Sequence, residues 1–193
     1  MPLLVDPALP PGTLRSLAQP RLDLEAGLVA RPWQTADAAF LRRAFQDPDI
    51  QRWHARRLDR DDEAREWLAQ WPQRWEEETG ASWAIARTDT DEAVGQVGFR
   101  AIRLEDARSQ VSYWVAPDAR GRGAATRAAA AVTRWAMAVV GLQRVGLAHA
   151  VSNLASCRVA VGAGFTYEGT LRRYGLHADG WHDMHMHARV TDE

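Results

Sequence analysis

Apolar and polar positions alternate around Leu22, Leu24, Leu28 and Ala30, which predicts a first strand across residues 21–33. Ala38, Leu41, Arg42 and Phe45 then recur at helical spacing, with Thr35 placed to cap the helix and Asp37 near its positive end. Trp67, Trp71 and Trp75 fall four apart inside a second helical stretch from about Asp61 to Thr79. Pro72 interrupts that stretch, so two short helices are expected there. Ser82–Arg87 and Ala93–Ile102 read as a hairpin turning at Asp89–Glu92, and Gln110–Val115 as a fourth strand. An alanine-rich helix follows from about Gly123 to Val140, closed by Gly141. Val145–His149 is a strand, Asn153–Ala163 a short helix ended by Gly164, and two strands near Phe165–Tyr174 and Trp181–Val190 flank Asp179–Gly180. The pattern is α+β (α/β three-layer), with a mixed, mostly antiparallel sheet of about seven strands flanked by about four helices.

Composition narrows the reading. The 193 residues fit one domain, 21–193, preceded by a proline-rich extended arm over 1–20. A net charge of −1 gives no reason to expect a nucleic acid or an acidic membrane as partner. A lone cysteine, Cys157, cannot form a disulfide within the chain and suits a reducing compartment. No apolar run approaches the ~20 residues of a membrane span, and the N-terminus lacks the basic and apolar regions of a signal peptide, so a cytoplasmic location is expected. All 24 basic residues are arginine. Genome bias explains that; chemically, it leaves the α-amino group as the ordinary amine of the chain.

The chemistry concentrates in Val115-Ala-Pro-Asp-Ala-Arg120-Gly-Arg-Gly-Ala-Ala125-Thr126, a segment that follows a strand and opens a helix. Gly121 and Gly123 let successive N–H groups turn inward as an anion nest, and the helix start adds unpaired donors. Such a place binds phosphate or pyrophosphate, and Arg120 and Arg122 can add charge-assisted bonds. A nucleoside-triphosphate P-loop requires a lysine, which the chain lacks. A dinucleotide fingerprint requires a third glycine, where Thr126 stands, and an acidic residue about 20 positions on, which is missing.

The run Arg120-Gly-Arg-Gly123-Ala-Ala125 resembles the pyrophosphate loop of the GNAT superfamily of N-acetyltransferases, whose signature is Arg/Gln-x-x-Gly-x-Gly/Ala. Tyr113-Trp114-Val115-Ala-Pro117 is similar to that family's fourth strand, and Asn153-x-x-Ser156 through Gly164-Phe165 to its later helix. Glu168-Gly169-Thr-Leu-Arg172 and Asp179-Gly180-Trp-His-Asp183 resemble the RimJ/RimL-like branch, which acetylates ribosomal proteins and N-terminal alanine. The resemblance spans about residues 20–190.

That resemblance implies an enzyme of GNAT fold that moves an acetyl group from acetyl-CoA to a primary amine by direct attack through a tetrahedral intermediate. Succinyl-CoA or another acyl-CoA remains an alternative donor. The backbone of Val115 would pair with the pantetheine arm, and Arg120, Gly121, Arg122, Gly123, Ala124 and Ala125 would hold the pyrophosphate. Asn153 would bond the pantetheine, or simply cap its helix. Relatives use a tyrosine seven residues after this asparagine as general acid; here that position is Ala160. Ser156, three residues after Asn153, matches the serine used in the RimL-like branch, and the resemblance implies it as the catalytic residue, bonding the sulfur and helping to protonate the leaving thiolate. The acceptor would be a small molecule or a protein N-terminus, and homodimers are common in the branch.

Several residues admit two readings. The three tryptophans either wall the acceptor pocket or belong to the core. Cys157 invites an acyl-enzyme role, but a small packing residue fits the direct-transfer family better. His54, Glu105, Asp106 and Glu168 are candidate general bases, while Gln110 stands where relatives often carry glutamate. His185 and His187 share a strand face with His182 opposite; no neighbouring cysteine completes a zinc set, so no metal is expected. Two rival functions stay open: a non-catalytic acyl-CoA sensor of the same fold, and an interaction protein using the tryptophan-rich helices.

Overall fold

The computed structural model describes residues 4–54 and 56–191; the first three residues of the expected arm and the last two of the expected domain lie outside them. Among the described residues eight strands form one sheet in the order β1-β2-β3-β4-β5-β6-β8-β7. They are β1 (Leu22–Asp23), β2 (Leu28–Pro32), β3 (Gly80–Arg87), β4 (Ala93–Arg103), β5 (Arg108–Val115), β6 (Arg144–Ala150), β7 (Thr166–His177) and β8 (Gly180–Val190). The helices are α1 (Ala38–Ala44), α2 (Pro48–His54), α3 (Asp61–Glu76), α4 (Ala124–Trp135) and α5 (Leu154–Gly162). The expected α+β three-layer architecture is what forms.

The differences from expectation are local. The first strand is a hairpin, because Glu25, Ala26 and Gly27 all take positive φ and fold the chain back. Thr35 does not cap a helix; it starts a short 3-10 turn, and Asp37 reaches back to accept from the Gln34 amide at 2.8 Å. Asp37 also grips Arg31 through two bonds of 2.8 and 2.9 Å in the interior. The sequence pattern missed α2, which Asp47 initiates by accepting from the Ile50 amide at 3.0 Å. Pro72 does not divide α3, which runs for 16 residues. Trp71 and Trp75 on either side of it are buried, and their burial outweighs the one hydrogen bond a proline removes.

The tryptophans are core. Trp75 stacks on Trp135 and meets Trp83 edge-on at 6.1 Å, while Trp67 and Trp71 pack edge-on at 5.1 Å. The N-terminal segment joins this core through Leu14. It is tied down by Glu78, whose carboxylate accepts from the amides of Gly12, Leu14 and Arg15 at 2.7, 2.6 and 3.2 Å. Burial alone would raise the Glu78 carboxyl, but those three amides outweigh it and hold it below its ordinary value.

One pairing positions the site. β5 and β6 are the parallel neighbours, and they pair only at Arg108–Arg144, Ser109–Val145 and Gln110–Gly146. β5 continues to Val115 and β6 to Ala150, so beyond Gln110 the two strands separate and leave a slot edged by main-chain groups.

Candidate active site

The slot widens into a cleft of about 790 Å³, lined by β5, β6, the start of α4, α5, α2 and the β7–β8 hairpin. Val115, Arg120, Gly121, Gly123, Ala124, Ala125, Asn153 and Ser156 all line it. Arg122 sits on the same loop, exposed, and outside the lining. Gly121 and Gly123 take φ of +77° and +75°, left-handed conformations that L side chains rarely adopt. Gly123 is the N-cap of α4, so the loop delivers the helix's unpaired amides to the cleft.

Arg120 does more than the sequence suggests. Its Nε donates to the Val115 carbonyl at 3.0 Å, and its guanidinium bridges Asp47 at 2.5 Å and Asp49 at 3.0 Å. It therefore fastens the loop to the start of α2. Those bonds occupy most of its donors and leave fewer for an anion.

At the inner end, Asn153 caps α5: its Oδ1 accepts from the Ser156 amide at 3.0 Å. The capping role is thus real, and the side-chain NH2 is left to another partner. The Tyr113 hydroxyl, from β5, donates to Ser156 Oγ at 3.1 Å. Burial pushes the Tyr113 phenol up to about 12, so it keeps its proton at neutral pH. Because Ser156 Oγ accepts from Tyr113, its own proton can point into the cleft.

Of the candidate bases, only His54 lines the cleft. Its Nδ1 accepts from Arg100 at 3.4 Å; burial first, then the Arg100 charge, lowers it to about 4, and the ring is neutral at pH 7. Glu168 is paired with Arg144 and Asp106 with Arg103 and Arg108, and neither these nor Glu105 reaches the lining. Gln110 does. The structure adds His177, which lines the cleft beside Trp53; burial is the main cause of its lowered pKa.

On β8 His185 and His187 share a face with His182 opposite, as the alternation predicts. His182 faces away and bonds Asp179 at 2.7 Å. His185 and His187 do not line the cleft. The expectation that no cysteine lies beside them is overturned: one ligand atom from each of His149, Cys157, His185 and His187 lies within 4.8 Å of the others. β6 and α5 bring His149 and Cys157 there, a tertiary contact that spacing along β8 does not contain.

Residues 28–166 match the family described as the acetyltransferase (GNAT) domain. The chain belongs to this GNAT family. An uncharacterized N-acetyltransferase of Bacillus subtilis, YoaA, is 27% identical over 148 residues, 76% of this chain and 84% of that one. The solved ribosomal-protein-S5-alanine acetyltransferase of Vibrio fischeri superposes with a TM-score of 0.81 at 19% identity, covering 91% of this chain and 98% of that one. RimL, a ribosomal L7/L12 alpha-N-protein acetyltransferase in complex with coenzyme A, gives 0.77 at 21% identity over 90% and 99%. The relatives include ribosomal-protein acetyltransferases of RimJ/RimL type, among them the ribosomal-protein-serine acetyltransferase of Escherichia coli, 28% identical over 102 residues, 53% of this chain and 57% of that one.

This GNAT protein is accordingly an acyl-CoA-dependent N-acetyltransferase with acetyl-CoA as co-substrate, which supplies the acyl group as a thioester. The cleft fits that donor on its own terms. The separated edges of β5 and β6 offer main-chain partners to an amide-bearing chain, and the two left-handed glycines and α4 offer amides to a pyrophosphate. No described helix is long and apolar enough to cross a membrane.

Proposed function

We propose that the enzyme acetylates the α-amino group of a protein or peptide N-terminus. The observation that carries the site assignment is the hydrogen bond from Tyr113 to Ser156 at the inner end of a slot opened by the separating strands. The backbone of Val115, Gly121, Arg122, Gly123, Ala124 and Ala125, with the Asn153 amide, holds the donor. Ser156 gives its proton to the departing thiolate and takes one back from Tyr113, which stands in for the tyrosine absent at Ala160 and regains its proton from solvent in the cleft that it lines. A main-chain N–H near Val115 faces the developing oxyanion.

The acceptor enters between α2 and the β7–β8 hairpin, past Trp53, Tyr174 and His177, all of which line that part of the cleft. An ammonium cannot attack, and His177, kept neutral by burial, takes its proton directly or through water. The S5-alanine acetyltransferase and the L7/L12 alpha-N-protein acetyltransferase among its structural neighbours support an N-terminal amine as acceptor. A half-buried lone thiol supports a reducing, cytoplasmic setting.

The test supplies acetyl-CoA with three acceptors: a peptide with a free N-terminus, the same peptide with that end blocked and a lysine free, and small amines. Mass spectrometry should find the acetyl group on the free N-terminus. Acetylation confined to small amines would overturn the acceptor assignment. Binding of acetyl-CoA without release of CoA to any amine would mean a sensor instead.

A further inference from the structure

Against the inner wall of the cleft, which His149 lines, lies a group of side chains the acetyl transfer does not use. His149 on β6 is directly opposite His185 on β8, and His187 follows two residues later, so all three rings leave the same face of the sheet. Cys157 comes down from α5 onto that face. His149 and His187 are buried, and His185 and Cys157 partly so. The rings surround a common point: His149 and His187 stack at 5.2 Å, and His185 stands edge-on to His149 at 5.3 Å.

The protonation pattern of the two buried rings is informative. His149 Nδ1 donates to the Ala150 carbonyl at 2.8 Å, which fixes the tautomer and leaves Nε2 a bare lone pair. That lone pair faces His187 Nε2 at 3.2 Å. If the proton between them belongs to His187, its Nδ1 is a buried lone pair, and that atom has no hydrogen-bond partner among the described residues. A cation accepting both Nε2 lone pairs moves the proton to Nδ1, on a ring that the Phe165 carbonyl also faces. A carbonyl on the far nitrogen is how protein sites orient a ligating histidine, and His149 already has one.

We propose that His149, Cys157, His185 and His187 form a binding site for one divalent transition-metal ion of zinc type. Three imidazoles and a thiolate are a ligand set that this borderline-soft ion takes in tetrahedral geometry. Ligand atoms bound at ~2.0–2.3 Å stand about 3.5 Å apart, so the group needs to contract from its 4.8 Å limit by roughly an ångström. Four protein ligands leave no open position, which makes the site structural. Metal entry releases the Cys157 thiol proton to solvent. The ion ties β6 and β8 to α5, and α5 carries Asn153 and Ser156 at its start.

The experiment titrates the full-length, chelator-treated and reduced protein with Co(II) alone, reading its visible and near-ultraviolet spectrum, and then displaces it with Zn(II). The expected result is one equivalent bound, with the intense visible bands of a four-coordinate ion and a thiolate-to-cobalt charge-transfer band. Cys157→Ser should lose the charge-transfer band, and both it and His185→Gln should weaken zinc binding by at least about tenfold. Zinc should raise the melting temperature of the parent protein and not of the two variants. Retained acetyl-CoA binding by the variants shows that they are folded, since neither residue lines the cleft. Sub-stoichiometric binding, a cobalt spectrum without the thiolate band, or variants that titrate like the parent would each overturn the site.

Discussion

Ser156 illustrates how two hydrogen bonds decide what a hydroxyl can do. Its amide is held by Asn153, which fixes the first turn of α5, and its oxygen accepts from Tyr113, which directs its proton outward. Ser156→Ala should lower kcat about 10²-fold or more while leaving acetyl-CoA affinity within a few-fold. Tyr113→Phe keeps the serine and loses one neutral hydrogen bond, so its kcat should fall only about tenfold. Equal losses in the two variants would contradict the order of transfer. His54 makes a separate prediction about acid. Its folded pKa lies near 4, below the ordinary 6.5, so between those values the unfolded chain binds the proton and the folded one does not. Its contribution to stability is complete above pH 6.5 and is lost as pH falls toward 4. Urea unfolding at pH 7 and pH 5 should show that slope, and His54→Gln should flatten part of it.

The elements show where local signals suffice. The glycine loop was readable because everything it needs is contiguous: a strand, two residues that tolerate positive φ, and a helix start. The same holds for α5, where a capping asparagine sits at the first turn and Gly164 closes the end. Pairs made by topology were not readable. Tyr113 and Ser156 are 43 residues apart, and His149 and His187 are 38 apart, and nothing along the chain announces that they meet. Pro72 misled because a breaker signal ignores what the helix buries. The turn before α1 also escaped, since Asp37 works through Arg31 rather than as a charge near a helix end. That pair is enclosed, with Arg31 1% and Asp37 7% exposed. Asp37→Ala leaves a buried guanidinium with less compensation and should cost ~3–5 kcal/mol in equilibrium unfolding. A loss under 1 kcal/mol would show that Asp91, which also contacts Arg31, can take over.

Across the whole molecule the sheet is continuous in outline but not in strength. Antiparallel ladders bind β1 through β5 on one side and β6, β8 and β7 on the other, and three paired positions join the halves. A donor lying between β5 and β6 binds the folded state alone, so acetyl-CoA at a hundred times its Kd should stabilise the protein by about 2.7 kcal/mol. A thermal melt that does not move with acetyl-CoA would argue against binding in the slot.

The junction of β5 with β6 also sets how the molecule should yield. Two well-bonded plates share a short hinge-side edge, with α4 and α5 lying across it, so the line of catalysis is a line of mechanical weakness. Among the amides of β5 from Val111 to Val115 and of β6 from Leu147 to Ala150, those that point into the slot rather than to β4 or β8 should exchange hydrogen early, before the ladders on either side open. Substrate then acts as a rivet: each turnover closes the line while the donor is held and reopens it when CoA leaves.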